Sequence, residues 1–210
     1  MEYVYSIGAV LAAYLIGSLS FAVIVSKLMG LNDPRSYGSK NPGATNVLRS
    51  GNKAAAVATL LLDGLKGWLP MALVMEFGKD YGLREGTLAV VGLAAFVGHV
   101  YPVFFKFQGG KGVATAAGVL FGVHWVLGLA TLATWGIVAF FSRYSSLASL
   151  ACAIFAPWYY LIGDRTFWYT DKTMALVIFV MSAFLLFRHR ANINKLLQGK
   201  ESKLGGGRKG

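Results

Sequence analysis

The stretch Gly112 to Phe141, GVATAAGVLFGVHWVLGLATLATWGIVAFF, contains no Asp, Glu, Lys or Arg. About 20 consecutive apolar residues suffice for a helix to cross the hydrocarbon core of a bilayer. Similar uncharged segments occur elsewhere in the chain, and they are Val4 to Val25, Gly86 to Phe105, Ser145 to Gly163 and Met174 to Phe187. Because backbone polar groups must be satisfied inside such segments, the sequence predicts an all-α integral membrane protein.

The composition argues against an ordinary soluble domain. Of 210 residues, 56% are hydrophobic and 14% are charged, and the mean hydropathy is +0.56. The start, Met1-Glu2-Tyr3, has no basic region, so the first segment is predicted to be a retained helix rather than a cleaved signal peptide. The single cysteine, Cys152, lies in an apolar segment and is predicted to pack there rather than to form a disulfide or hold a metal.

The basic residues predict an orientation, because cytoplasmic loops retain Lys and Arg. Of 20 such residues, most lie in the first loop, just before Gly112, at Arg143 and after Phe187. These regions are therefore predicted to be cytoplasmic. The connections at residues 79–85 and 164–172 balance their basic residues with acids and are predicted to lie outside.

The long opening stretch decides the number of crossings. If Lys111 and Arg143 lie on the same side, the stretch must cross twice or not at all, and Gly122-Val123-His124 is its predicted turn. Val113 to Gly122 is short for a full span at about 1.5 Å per residue, so it is predicted to be a short tilted or re-entrant helix. About seven crossings follow, with the N-terminus outside and the C-terminus cytoplasmic. One uninterrupted helix would instead give about six and put Arg143 outside.

The chain is predicted to form one polytopic domain over residues 1–194, followed by a basic, flexible tail over residues 195–210. The sequence has no fixed-period repeat. A solvated end or attraction to anionic lipid headgroups is the expected role of the tail.

The first polar motif is Tyr37 to Arg49, YGSKNPGATNVLR. Its small residues allow backbone N–H groups to approach an anion, its hydroxyl and amide side chains offer hydrogen bonds, and Arg49 offers a guanidinium fork. The alternative is a loop rich in turn-forming residues. The candidate site residues are Gly38, Ser39, Asn41, Gly43, Thr45, Asn46 and Arg49.

The second motif runs from Gly98 to Thr115. Within it, Gly109-Gly110-Lys111-Gly112 opens a helix and offers free amides, a positive dipole end and an ammonium group to one phosphate. It is not a nucleotide-binding P-loop, because Gly112 follows the lysine where that motif needs serine or threonine. The alternative is a glycine-rich connection with an interfacial lysine.

Two pairs of polar residues with helical spacing form the third and fourth motifs. Ser146 and Ser149 share a helical face, although serines in membrane helices usually only pack. His189 and Asn192 share another face, where the imidazole could titrate and the amide could hold a substrate oxygen. The alternative for this last motif is a basic cluster that anchors the final helix.

All four motifs fall on the predicted cytoplasmic side, which suits a phosphorylated substrate at the membrane surface. Asp63 and Lys66 lie in the predicted second span, between the first loop and the connection at residues 79–85, and are instead predicted to be a structural ion pair. A cluster of acids and an HEXXH pattern are both missing from the sequence, so no metal site is predicted.

In order and spacing, these motifs resemble those of the bacterial membrane glycerol-3-phosphate acyltransferases that use acyl phosphate as donor, the PlsY family. The resemblance runs from the first helix to about Glu201, and the GGKGVAT and GATN elements are specific to it. Lys40 departs from the pattern, because many members have glycine there. The resemblance implies a bundle of seven membrane helices with its site on the cytoplasmic side.

It also implies transfer of a fatty acyl group from acyl phosphate to the 1-hydroxyl of sn-glycerol 3-phosphate, giving lysophosphatidic acid and phosphate without a cofactor. The implied catalytic residues are Ser39, Arg49, Lys111, Ser146, His189 and Asn192. The basic residues are expected to hold phosphate, the serines and Asn192 to hydrogen-bond oxygens, and His189 to orient or deprotonate the hydroxyl. Substrate binding is expected at Gly38, Asn41, Gly43, Thr45, Asn46, Gly109, Gly110 and Gly112.

The expected location is the bacterial plasma (inner) membrane, in contact with membrane lipids. The soluble enzyme that makes acyl phosphate is a candidate partner, and no nucleic acid is expected. A transporter of a phosphorylated molecule is the alternative function, but it would place its polar groups near the midplane between repeats. A scaffolding protein would not need four polar clusters on one side.

Overall fold

A computed structural model describes residues 2–205. The regular secondary structure of these residues is all helical, with no β-strand, which confirms the all-α prediction. Two short 3₁₀ helices follow α4 and α5, at Gly78–Tyr81 and Val103–Phe105. The α-helices are α1 (Glu2–Gly17), α2 (Phe21–Leu28), α3 (Ala44–Leu48), α4 (Lys53–Phe77), α5 (Glu85–Val100), α6 (Val113–Val123), α7 (Trp125–Ser142), α8 (Ser145–Ile162), α9 (Lys172–Arg188) and α10 (Arg190–Leu197).

Several helices are long and apolar enough to cross a membrane. Within the described range, α4 and α5 with their 3₁₀ extensions, α7 and α8 make four candidates. Two bent pairs raise the number to six, if α1 with α2, bent by 45°, and α9 with α10, bent by 55°, each count as one span. The shorter apolar helix α6 stands apart from these. Seven crossings and the orientation of the termini stay predictions.

The uncharged stretch at 112–141 forms two helices rather than one. His124 ends α6 and begins α7 with an extended backbone, at φ −163° and ψ 136°. Its imidazole Nδ1 accepts a hydrogen bond of 3.3 Å from the amide of Val126 and so caps α7. The break lies within the turn predicted from Gly122-Val123-His124.

Loop side chains cap the N-termini of two of the long helices. Asn52 precedes α4 and accepts a hydrogen bond of 3.0 Å from the amide of Ala55. Asp171 precedes α9 and accepts one of 2.7 Å from the amide of Met174. Each side chain satisfies a backbone donor that has no partner within its own helix.

The helices pack into a closed bundle. Around it, α1 contacts α5, α5 contacts α9, α9 contacts α8, and α8 contacts α7, while α7 reaches α4 through α6. Glycines allow the tightest approaches: a Cβ on Gly118 of α6 would collide with the carbonyl of Gly64 on α4, and one on Gly17 of α1 with the carbonyl of Ala95 on α5. Small residues at such crossings are typical of membrane helices.

Apolar side chains lie both inside and outside the bundle. The interior is built around a cluster that includes Met71, Phe96, Val119, Leu127 and Ile178. The outer surface is also apolar, as expected of helices surrounded by lipid rather than water. Its exposed side chains include Leu61, Phe140, Ile162 and Leu176.

Candidate active site

Asn46 organises the loop that carries the first motif. Its amide nitrogen donates to the carbonyl oxygens of Pro34, at 2.6 Å, and Tyr37, at 3.2 Å. Its amide oxygen accepts from the backbone N–H of Ser39, at 2.9 Å, and from Nη1 of Arg49, at 3.3 Å. Asn46 is 2% exposed. Its polar atoms therefore shape the loop, whereas the exposed side chains of Ser39 and Arg49 face outward.

The other predicted residues of this motif determine the backbone conformation of the loop and its contact with α8. Gly38 has φ +58°, a left-handed conformation that favours glycine, and a Cβ there would collide with the amide oxygen just described. Gly43 donates its backbone N–H to the carbonyl of Asn41 at 3.0 Å and precedes α3. The Thr45 and Ser145 hydroxyls lie 3.1 Å apart and join the loop to the start of α8.

The glycine loop of the second motif is held by Arg188 at the end of α9. Nη2 of Arg188 donates to the carbonyl oxygens of Gly109, at 2.9 Å, and Gly110, at 3.0 Å. Gly112 follows with φ +89° and begins α6, where a Cβ would collide with the ring of Phe96. The loop therefore has a fixed path, which positions the lysine between these glycines.

Lys111 begins a chain of contacts between three predicted catalytic residues. Its Nζ donates to Oδ1 of Asn192 at 2.6 Å. Nδ2 of Asn192 donates to Oε1 of Glu201 at 2.8 Å, and the Ser146 hydroxyl donates to the same oxygen at 2.9 Å. The second, third and fourth motifs therefore meet at one point.

The electrostatic surroundings of Lys111 suit an anion. Burial disfavours its ammonium form and lowers its pKa to about 8; the carboxylate of Glu201 opposes this shift, while the positive charges of Arg49, Lys195 and Arg188 add to it. Such an ammonium group is still mostly charged near neutral pH, but the protein only partly balances its charge. A phosphate group would therefore be bound favourably here.

His189 lies just after the last residue of α9 and is 2% exposed. Its Nδ1 is 2.8 Å from the carbonyl oxygen of Leu185. A carbonyl oxygen only accepts, so Nδ1 carries the hydrogen. Burial and then the charge of Lys111 lower the imidazole pKa to about 4. His189 is thus neutral near pH 7, and Nε2 is its free acceptor.

Arg49 and the C-terminal segment, residues 201–204, make contacts next to this site. Nη2 of Arg49 donates to the Ser202 hydroxyl at 2.6 Å. The backbone of Leu204 pairs with Arg143, where its N–H donates to the Arg143 carbonyl at 2.6 Å. A polar cavity of about 350 Å³ opens beside Arg49, lined by Gly30, Leu31, Asn32, Tyr37, Arg49 and Ser50.

Sequence reasoning missed Glu201, Ser202 and Arg188. A signal for Glu201 was present, because it is the only acidic residue after Asp171, within a strongly basic segment. Arg188 stands beside His189, but a basic residue at a helix end equally suits a membrane anchor. The contacts of residues 201–204 belong to the predicted tail, and Gly206 to Gly210 of that tail lie outside the described residues.

Comparison with known proteins assigns the family. Residues 7–199 match the family model described as glycerol-3-phosphate acyltransferase. The chain belongs to the glycerol-3-phosphate acyltransferase family. A glycerol-3-phosphate acyltransferase of Albidiferax ferrireducens is 62% identical over 205 residues, covering 98% of this chain and 92% of that protein. One of Cupriavidus necator is 61% identical over 195 residues, covering 93% and 94%.

Solved structures agree with this acyltransferase assignment and with the resemblance drawn from the motifs. The crystal structure of PlsY, an integral membrane glycerol 3-phosphate acyltransferase, in its glycerol 3-phosphate form matches with a TM-score of 0.87 and 39% identity over 96% of each chain. Its lysophosphatidic acid form matches with a TM-score of 0.85 and 38% identity, again over 96% of each chain. The acyltransferase is therefore a multi-pass membrane protein of the PlsY family.

Proposed function

We propose that this enzyme transfers a fatty acyl group from acyl phosphate to the 1-hydroxyl of sn-glycerol 3-phosphate, for phospholipid synthesis. The observation that carries the proposal is the chain of contacts from Lys111 through Asn192 and Glu201 to Ser146, with Arg49 beside it. It gathers cationic and neutral hydrogen-bond donors around one point, as two phosphorylated substrates require. The PlsY structures with glycerol 3-phosphate and lysophosphatidic acid support the same substrate and product.

The reaction needs no covalent intermediate with the enzyme. The substrate hydroxyl oxygen attacks the acyl carbon of the mixed anhydride, and the bond between that carbon and the phosphate oxygen breaks. An ester forms, the phosphate leaves with the electron pair, and the hydroxyl proton ends on phosphate. Because phosphate is a good leaving group, positioning and charge stabilisation supply most of the catalysis.

The residues take distinct roles in this reaction. Lys111 and Arg49 bind the phosphate groups and offset their charge. Asn192 donates the second hydrogen of its Nδ2 to the carbonyl oxygen as that oxygen becomes negative, and Ser146 does so when its hydroxyl turns from Glu201 to the substrate. His189 accepts a hydrogen bond from the attacking hydroxyl at Nε2, and this orients the nucleophile. Ser39, exposed at the edge of the first loop, is assigned a hydrogen bond to a phosphate oxygen.

The glycines and amides of the two loops are assigned the binding surface. Phosphate can approach the backbone closely because the loops are built from small residues, although the N–H groups of Gly43, Asn46 and Gly110 already donate to carbonyl oxygens of the protein. The residues proposed for this surface are Gly38, Asn41, Gly43, Thr45, Asn46, Gly109, Gly110 and Gly112. The acyl chain lies against the apolar helices, next to membrane lipid.

The decisive test is release of phosphate by the purified enzyme from palmitoyl phosphate and glycerol 3-phosphate. We expect release to need both substrates and to yield lysophosphatidic acid. Lys111→Met should lower kcat/KM about 10- to 100-fold, because a charge-assisted contact to phosphate is lost. Lys106→Met is the matched control, since this lysine precedes the same glycine loop but is exposed. Absence of turnover by folded enzyme would refute the proposal.

We infer that the site faces the cytoplasm from the bacterial inner membrane, with about seven crossings and the N-terminus outside. The basic first loop and basic C-terminal segment support this orientation. It would give acyl phosphate from a soluble enzyme direct access to the site.

Labelling in intact cells tests the orientation. Cys152 is buried and is the only cysteine, so Cys152→Ala provides a background for single Lys79→Cys and Lys203→Cys variants. A membrane-impermeant maleimide should label position 79 in intact cells and position 203 only after permeabilisation. The reverse labelling pattern would contradict the proposed orientation.

A further inference from the structure

A cluster of charged and polar side chains lies within the bundle beneath the glycine loop. Lys66 and Asp63 of α4 form an ion pair of 2.8 Å between Nζ and Oδ1, and the two side chains are 2% and 3% exposed. Nζ of Lys66 also donates to the carbonyl of Leu19, at 2.6 Å, in the break between α1 and α2. Oδ1 of Asp63 lies 3.5 Å from Nδ1 of His99 on α5. The cluster therefore joins three parts of the bundle.

Thr115 of α6 fixes the orientation of His99. The Thr115 hydroxyl donates to the backbone carbonyl of Asp63 at 2.9 Å and lies 3.1 Å from Nδ1 of His99. A hydroxyl has one hydrogen to donate, so toward the imidazole it acts as the acceptor, and Nδ1 carries the hydrogen. The opposite ring nitrogen, Nε2, then points away from the cluster.

The His99 ring determines where the glycine loop runs. Gly110 lies so close to Nε2 of His99 that a Cβ on Gly110 would collide with it. The backbone N–H of Gly110 donates to the His99 carbonyl at 3.2 Å. Gly110 immediately precedes Lys111, so the position of the imidazole is transmitted to the proposed phosphate site through one peptide unit.

Burying an ion pair within the bundle costs free energy, because both charged groups lose their hydration. Well-packed apolar side chains often stabilise a protein as well as a buried ion pair does, and ionisable groups within membrane segments usually serve function. We propose that His99, held by Thr115, Asp63 and Lys66, is a positioning residue that fixes the glycine loop for binding of the glycerol 3-phosphate phosphate group. This inference rests on the proposed acyltransferase function.

Two substitutions at Thr115 test the proposal. Thr115→Val removes the acceptor for His99 and keeps the shape, and Thr115→Ser keeps the hydroxyl. We expect Thr115→Val to raise the KM for glycerol 3-phosphate about tenfold with kcat within about twofold, because the hydrogen bond that orients His99 is lost. Thr115→Ser should restore a KM close to that of the unmodified enzyme.

The matched control is Thr131→Val in α7. Thr131 is also buried, but its hydroxyl donates to the Leu127 carbonyl of its own helix, at 2.9 Å, away from the cluster. It should leave the KM unchanged, because the hydrogen bond that it removes does not reach the cluster. Equal KM values for the two valine variants, or a KM rise that Thr115→Ser does not reverse, would overturn the proposal.

Hydrogen exchange of the loop amides gives a readout that needs no turnover. We expect exchange of the backbone amides at residues 109–112 to be about tenfold faster in Thr115→Val than in Thr131→Val. Unchanged exchange would overturn the positioning role even in an active enzyme. Faster exchange in a protein that showed no acyl transfer would keep the positioning role and reject the proposed function.

Discussion

The substitution Glu201→Gln removes the negative charge of this side chain and keeps its shape. In Glu201→Gln the side-chain oxygen can still accept from Ser146 and Asn192, but the two hydrogen bonds, of 2.9 and 2.8 Å, lose their charge assistance. The carboxylate that opposes the downward shift of the Lys111 pKa is also lost. We therefore expect a less well-ordered site in which a smaller fraction of Lys111 is charged, and both changes weaken the binding of phosphate.

The expected size follows from the two contacts. A hydrogen bond to a charged group contributes about 1.5–3 kcal/mol, and a neutral one about 0.5–1.5 kcal/mol. The loss is thus about 1 kcal/mol per bond and about 2 kcal/mol in all, which corresponds to about a 30-fold fall in kcat/KM. Glu201→Ala, which removes both bonds, should lose more.

A double-mutant cycle with Ser146→Ala provides the assay. Phosphate release would be measured for Glu201→Gln, Ser146→Ala and the double variant, with the exposed Glu76→Gln as control. If Glu201 acts by holding Ser146, the double variant should be much more active than the product of the two single effects implies. Additive effects, or a Glu201→Gln enzyme within about twofold of the parent, would refute the reasoning.

Three further predictions follow from single contacts. The kcat/KM for glycerol 3-phosphate should fall above about pH 8, because the ammonium of Lys111 loses its proton as the pH rises through its pKa of about 8. This descending limb should be missing from the Lys111→Met profile. Arg188→Met removes both loop-carbonyl bonds and should lower kcat/KM about tenfold, whereas Arg190→Met, at an exposed position, should not. Gly118→Val should destabilise the helix crossing by about 1–3 kcal/mol or more, seen as a lower melting temperature, whereas Gly136→Val, with nothing within 4 Å, should not.

Much of the fold could be predicted because membrane helices have a simple sequence signature. Uncharged segments predicted the helices, and the turn predicted at Gly122-Val123-His124 divided the 112–141 stretch into two helices. The bends after Gly17 and around His189 were not predicted. At the first bend a distant side chain satisfies the interrupted backbone, through the hydrogen bond from Lys66 to the Leu19 carbonyl, and hydropathy carries no information about such a contact.

The site could be predicted only in part, because motifs show residue types and not partners. Sequence reasoning selected Lys111, Ser146 and Asn192, and the structure brings these together. It could not show that Glu201 joins them, since the pairing spans 55 residues from Ser146. Asp63 was interpreted as one half of a local ion pair because its i+3 partner is visible in sequence. Its contact with His99 depends on how α4 and α5 pack.

The pKa of His189 bears on where the hydroxyl proton goes. With a pKa of about 4, the imidazole is a weaker base than a phosphate dianion, whose conjugate acid has a pKa of about 6. Proton transfer to His189 would therefore cost more free energy than transfer to the departing phosphate. The neutral imidazole can still accept a hydrogen bond from the hydroxyl and aim its oxygen at the acyl carbon. Within this arrangement Lys111 and Arg49 offset the phosphate charge, and the leaving group itself accepts the proton.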